Sequence, residues 1–312
     1  MRIEYHRTLI ADRIRNDAFE AALARVIRQG ETIVADIGAG TGLLGLMASR
    51  LGAREVYLYE VAEIGGVAQE MLKRNRARNC HLMPGHSTEM RNPPRADVIV
   101  SETLGNYPFE ENIIETMNDA IRRHLKRGGI VIPGRLDQFV APVTSDRFHV
   151  ELTAWERVGR GIDFGPAQFM SLNNIYVRTL TPADLLDNGR SARRWDDIDF
   201  SVTNRATRKG EARWTLDAET TVFGFATWWS AELVPGVTLS TAPDAPRTHW
   251  EQLYFPLLRP MSGRRGDTIA VALRSRSSMQ AGTDMTWTAT RSDRGGRVQD
   301  RQSMDLAKGY LP

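Results

Sequence analysis

Apolar residues recur at helical spacing over residues 12–29, where Ile14, Ala18, Ala21, Ala22 and Val26 share one face before Gly30 stops the pattern. TIVADI (32–37) then predicts a short strand, and GAGTG leads into a second helical run, LLGLMASRL, closed by Gly52. EVYLYE (55–60) predicts a strand, VAQEMLKRNRA a helix and DVIVSE (97–102) another strand. ENIIETMNDAIRRHLKRGG reads as a long amphipathic helix, and IVIP (130–133) as a strand ending at proline. Strands alternating with helices imply parallel βαβ units, so the expected class is α/β with a doubly wound parallel sheet.

After Pro133 the texture changes. FVAPVTS, HVELTAWERV, TTVFGFATWWSAEL, DTIAVALRSR and MTWTATRS are period-two or β-rich runs with turn residues between them. This half predicts an antiparallel barrel or sandwich. Residues 160–194 interrupt its strand pattern and are expected to form an inserted arm. The expected domains are therefore 1–133 and 134–312, with the arm at about 160–194. A length of 312 residues agrees with two domains at ~150 residues each.

Composition narrows the classes without changing that picture. Apolar residues make up 41% and charged residues 25%, as in soluble globular chains. No stretch approaches the ~18 apolar residues of a spanning helix, so no membrane is expected. The start, MRIEYHRTLIADRIRND, has no apolar core and reads as no secretory signal. One cysteine, Cys80, excludes a disulfide framework and a multi-cysteine zinc site, and a cytoplasmic location follows as the expectation. The net charge of +3 rests on scattered arginines interleaved with acids, so no nucleic-acid partner is expected.

The chemistry concentrates at two strand ends. Asp36-Ile37-Gly38-Ala39-Gly40-Thr41-Gly42 follows a strand and opens a helix, the context of a nucleotide-binding turn. Glycines let a ligand approach the backbone, and Glu60, closing the next strand, can accept hydrogen bonds from ribose hydroxyls. The dinucleotide pattern would place glycine at 43, where Leu43 stands; DxGxGxG instead resembles the first motif of Rossmann-like class I methyltransferases that use S-adenosylmethionine (SAM). A dinucleotide and a ligand-free turn remain alternatives at this point. The second strand end carries SETLGNYPFEE, with Glu102 and Glu111 nine residues apart on a loop facing the same pocket. Two converging carboxylates repel unless a cation lies between them, and a planar guanidinium meets that need. A metal pair, a glycosidase pair or ordinary solvated glutamates are the other readings.

Together these motifs resemble the protein arginine methyltransferase family. S-E-x-x-G-x-x-x-x-x-E looks like its double-glutamate loop, and Thr248-His249-Trp250 looks like its Thr-His-Trp loop, about 140 residues later and in the family's order. GGIVIP (128–133) resembles the family's join between its Rossmann and barrel domains, and FGFATWWSAEL a barrel strand pair. The resemblance implies that His6 and Arg15 lie on a helix closing over SAM, with Arg15 on the methionine carboxylate. It implies that Asp12 pairs with His249, that Asp36, Gly38, Gly40 and Glu60 line the cofactor, and that Ser87 and Thr88 face adenine. The family usually carries glutamate at the Thr88 position. Glu102 and Glu111 would form the guanidinium clamp, while spacing argues against the adjacent Glu110. No metal is implied, and the inserted arm implies a homodimer.

Family members usually have a further helix with a Tyr-Phe-x-x-Tyr motif before the histidine, whereas five residues precede His6 here. The expected substrate is therefore free L-arginine or a small guanidino metabolite of bacterial specialised metabolism. Arginine in a protein or peptide is the alternative, and a silent SAM-binding scaffold is the non-enzyme one.

Overall fold

A computed structural model describes residues 3–280 and 282–308. Two helices, α1 (Ile3–Ala11) and α2 (Arg13–Val26), precede five strands, β1 (Ile33–Ile37), β2 (Glu55–Glu60), β3 (Cys80–Pro84), β4 (Ala96–Ser101) and β5 (Leu125–Ile132). Helices α3 (Leu43–Arg50), α4 (Gly65–Arg74) and α5 (Ile113–Arg123) connect them. The strands pair in parallel in the order β3-β2-β1-β4-β5. Chain order reverses between β1 and β4, which leaves a crevice beyond their carboxyl ends.

This part follows the hydrophobic pattern with two differences. The helix predicted to reach residue 129 ends at Arg123, because Leu125–Ile132 pairs with β4 instead. The edge strand β3 has no counterpart among the predicted elements. Cys80–Pro84 is half-buried or exposed throughout and is broken by His81, so it carries no apolar run long enough to read.

The second half begins with β6 (Arg135–Val143), which lies in a sheet with β7 (Tyr176–Arg178), β8 (Arg193–Asp199), β10 (Thr220–Val234), β11 (Val237–Ser240) and β12 (Gln252–Gly263). β9 (Thr207–Thr215), β13 (Thr268–Ser278), β14 (Gly282–Ser292) and β15 (Val298–Asp305) form a four-stranded sheet. All these pairings are antiparallel. Alternate residues of β13 and β14, Ile269, Val271, Leu273, Met285, Trp287 and Ala289, are buried, as period-two strands require.

Two expectations for this half change. Residues 149–158 form no strand: α6 (Arg147–Leu152) is followed by a 3-10 turn, Ala154–Arg157. Phe148 and Leu152, four residues apart, are the buried pair, so the helical period decides. A second short helix, α7 (Gly165–Leu172), follows, β7 joins β12, and Phe148, Leu152, Leu172, Leu180 and Leu185 share one buried cluster with the barrel's Ala141, Val143 and Tyr254. Among the described residues no helix is long and apolar enough to cross a membrane.

Candidate active site

A cavity of about 630 Å³ opens beyond the ends of β1, β2 and β4 and beneath α1. That is an ordinary volume for a small-molecule site.

Its floor is the turn after β1. Gly38 (φ 73°) and Gly40 (φ 56°) adopt the left-handed conformation that glycine tolerates best. Space is equally short: a Cβ on Gly38 would lie 2.6 Å from the Thr103 methyl, and one on Gly40 3.3 Å from the His6 ring. The turn is thus pressed between α1 and the loop after β4. Glu60 holds its rim, accepting from the Gly40 and Ala62 amides at 2.7 Å each. Asp36 is buried and accepts from the Gly45 amide at 2.9 Å, fixing the first turn of α3. Burial pushes its carboxyl up to about 7, against the lowering effect of that amide.

Asp12 joins the two halves of the molecule. It caps α2 by accepting from the Arg15 amide at 3.0 Å, and its other oxygen accepts from the His249 amide and meets His249 Nδ1, both at 2.8 Å. Burial raises its pKa, but these hydrogen bonds outweigh that and hold Asp12 below the usual carboxylate value. With Nδ1 on a carboxylate, the neutral His249 ring keeps Nε2 as its acceptor.

Arg15 lies in the cavity and forms a buried ion pair with Glu102; Nε and Nη2 both donate to Oε2, the former at 2.6 Å. Among the described residues Glu102 Oε1 meets only the Leu104 amide, at 3.4 Å, and so retains acceptor capacity. The loop from Glu102 to Glu111 is clamped by the barrel. Trp250 Nε1 donates to Leu104 O at 2.8 Å, and Trp229 Nε1 to Gly105 O at 3.0 Å. The Glu251 amide donates to Asn106 Oδ1 at 2.8 Å, and the Tyr107 hydroxyl bonds Ser275 Oγ. Glu111 is exposed to the cavity and its carboxylate has no hydrogen-bond partner among the described residues. Desolvation by the walls, then the charges of Glu102 and Glu110, push it up to about 7.

Asp36, Gly38, Gly40, Glu60, His6, Arg15, Ser87, Glu102, Glu111 and His249 all line this cavity, and Asp12 stands directly behind His249. Thr88 does not line it; its hydroxyl bonds His86 Nδ1 at 2.7 Å, and His86 lines the wall instead. Sequence reasoning missed His86 and the loop-fixing roles of Asn106 and Trp229. It also set Glu110 aside, which lines the cavity beside Glu111. Asn106 and Trp229 act only across the domain junction, where no spacing signal exists.

The chain is 31% identical over 266 residues to "Protein arginine N-methyltransferase 6" of Xenopus tropicalis, covering 80% of this chain and 77% of that protein. This chain belongs to the protein arginine methyltransferase family. Residues 137–288 match the family model "Arginine methyltransferase oligomerization subdomain", and residues 20–143 match that of "Ribosomal protein L11 methyltransferase". An "Arginine N(omega)-methyltransferase" of Streptomyces achromogenes subsp. streptozoticus is 28% identical over 279 residues, 86% of this chain and 75% of that one. Among solved structures, the Trypanosoma brucei PRMT1 enzyme–prozyme complex with AdoHcy shares the fold at a TM-score of 0.86 and 21% identity, covering 96% of this chain and 97% of that one. Arabidopsis thaliana protein arginine methyltransferase 10 does so at 0.81 and 20%, covering 98% of each.

Proposed function

We propose that this member of the arginine methyltransferase family methylates a guanidino nitrogen of free L-arginine or a small guanidino metabolite, with SAM as methyl donor. The observation that carries the reaction class is the meeting of Glu102 and Glu111 with Arg15 and the glycine turn in one cavity. The small-substrate reading is supported by the Streptomyces relative, whose name specifies arginine rather than a protein.

The cavity fits the cofactor. Three buried polar atoms beside it, His6 Nε2, Ser87 Oγ and Tyr59 Oη, have no hydrogen-bond partner among the described residues. Buried polar groups without partners are costly, and a ligand rich in donors and acceptors relieves that cost. Arg15 would hold the methionine carboxylate, Glu60 the ribose hydroxyls, and Gly38 and Gly40 the close approach. When bound, SAM supplies an electrophilic methyl group on a positively charged sulfur.

The remaining work belongs to the protein. Glu102 Oε1 and Glu111 grip the guanidinium through charge-assisted hydrogen bonds and fix its plane. Such alignment of reacting groups can lower a barrier by several kcal/mol, up to ~7–11 in ideal systems. Glu111, with its carboxyl near neutrality, is the group best matched to accept the proton that methylation releases. Asp12 and His249 hold the cofactor helices against the barrel. Incubation with methyl-labelled SAM and, separately, L-arginine and an arginine-rich peptide tests this reading by mass spectrometry of the products. Label in the peptide alone would replace the small-substrate reading; label in neither would leave a SAM-binding scaffold.

The assembly reading is a homodimer. With the arm taken to begin at α6, it exposes Trp155, Val158, Ile162 and Met170, and α1, α2 and the segment after β2 expose Tyr5, Ile10, Ile14 and Val61. Exposed apolar sets of this kind mark partner surfaces, and an arm from one copy laid on the cofactor helices of another closes a twofold dimer. The Ile162→Glu, Met170→Glu double variant is expected to be a monomer with weakened SAM binding. Light scattering that finds the parent protein monomeric at micromolar concentration would refute the dimer.

A further inference from the structure

The cavity holds more negative charge than a guanidinium clamp needs. Asp36, Glu60, Glu102, Glu110 and Glu111 line it, and Arg15 is the only lysine or arginine that does so among the described residues. A sulfonium cofactor brings one net positive charge and a guanidinium another, so the carboxylates still outnumber the cations.

Glu110 is the one without a role in the reaction as derived above, and the loop is built around it. Its Oε1 accepts from the Asn106 amide at 3.0 Å, which folds the side chain back across Gly105. A Cβ on Gly105 would overlap the Glu110 carboxyl, so only glycine admits this conformation. Asn106 is itself anchored to the barrel through the Glu251 amide. Glu110 Oε2 has neither a hydrogen bond nor an ion pair among the described residues, although it belongs to a cavity wall. The tight turn before α5, with the Glu110 amide bonded to Tyr107 O, lets two consecutive glutamates face one space. Because both side chains line the same cavity, a substrate that places its guanidinium on Glu111 can extend a second cationic group toward Glu110.

We propose that Glu110 is a specificity-determining residue that receives the α-ammonium group of free L-arginine while Glu102 and Glu111 hold the guanidinium. This rests on the small-substrate reading above. An arginine inside a polypeptide has an amide in place of that ammonium and offers Glu110 no charge. Desolvation of the Glu110 carboxyl, which raises its pKa, would be relieved by that cation.

The test compares L-arginine with Nα-acetyl-L-arginine, which keeps the guanidinium and loses the α-charge, using the full-length protein and its Glu110→Gln variant. Gln keeps the bond to the Asn106 amide, and calorimetric titration with SAM checks that the cofactor site is intact. The parent is expected to prefer L-arginine by about ten- to a hundredfold in kcat/KM, the size of one charge-assisted hydrogen bond. Measured well above pH 7, where Glu111 is ionised in both proteins and loss of the Glu110 charge no longer shifts its protonation, Glu110→Gln is expected to erase that preference through KM for L-arginine, leaving kcat and the acetylated substrate near parent values. Equal losses for both substrates, or no loss for either, would overturn the assignment while leaving the small-substrate reading in place. A parent protein that turns over an arginine peptide and neither small compound would overturn both.

Discussion

Glu111→Gln is expected to lower kcat/KM for the guanidino substrate by about 10²–10³ with SAM affinity unchanged within a few-fold. The substitution keeps the shape, removes one charge and offers an amide donor to a guanidinium that has only donors. Glu102→Gln should cost as much in turnover, but for two reasons at once. It also leaves Arg15 buried without its counter-ion, and breaking such a pair costs about 3–5 kcal/mol. The ligand-free Glu102→Gln protein should therefore melt earlier than the parent, and SAM, whose carboxylate replaces the lost partner, should recover part of the difference. Glu111 has no ion-pair partner among the described residues, so its variant should show no such loss on melting. The raised pKa of Glu111 adds a pH signature. Below about 7 the carboxyl is protonated and neutral, while the guanidinium stays charged. Parent kcat/KM should therefore fall as pH drops through about 7, approaching tenfold per unit. Near-normal turnover in both single variants, or a kcat/KM flat across neutral pH, would show that the clamp is wrongly assigned.

The chemistry of this site was legible because its residues sit where strands end. A glycine-rich run after TIVADI and a glutamate closing each of two apolar strands are local signals, and parallel topology carries all three to one crevice. What stayed hidden depends on contacts between distant segments. The glutamate loop is fixed by contacts to the second half of the chain, Trp229 to Gly105 and the Glu251 amide to Asn106, and nothing in either residue's neighbourhood announces them. The family resemblance puts Thr88 at adenine, but its hydroxyl bonds His86 two residues away, and a local bond of that kind needs no ligand. Glu110 was set aside because family spacing names only one of two adjacent glutamates; the crossing over Gly105 is visible only in three dimensions. Residues 149–158 differ from the strand expectation for a related reason. HVELTAWERV satisfies a period of two by eye, while burial of Phe148 and Leu152 follows the helical period.

Gly40→Val is expected to weaken SAM binding by at least about a hundredfold while the protein still folds. Two effects combine at this position. Gly40 has φ 56°, a left-handed conformation in which a β-branched residue is an outlier costing roughly 1–3 kcal/mol. Its Cβ would also start 3.3 Å from the His6 ring, so the added methyl groups must displace His6 or project into the cavity. His6 Nε2 is one of the buried atoms left without a partner, and moving the ring removes a group that the cofactor would satisfy. Gly30→Val separates the two effects. Gly30 has φ 73° and no atom within 4 Å of its prospective Cβ, and it lies after α2, outside the cavity lining. It should suffer the backbone strain alone. Thermal melting should then show both variants destabilised, Gly40→Val at least as much as Gly30→Val, and calorimetric titration should show SAM affinity lost only for Gly40→Val. If both bind SAM as the parent does, the cofactor does not pass over this turn; if both lose it equally, affinity follows global stability and the turn has no specific role.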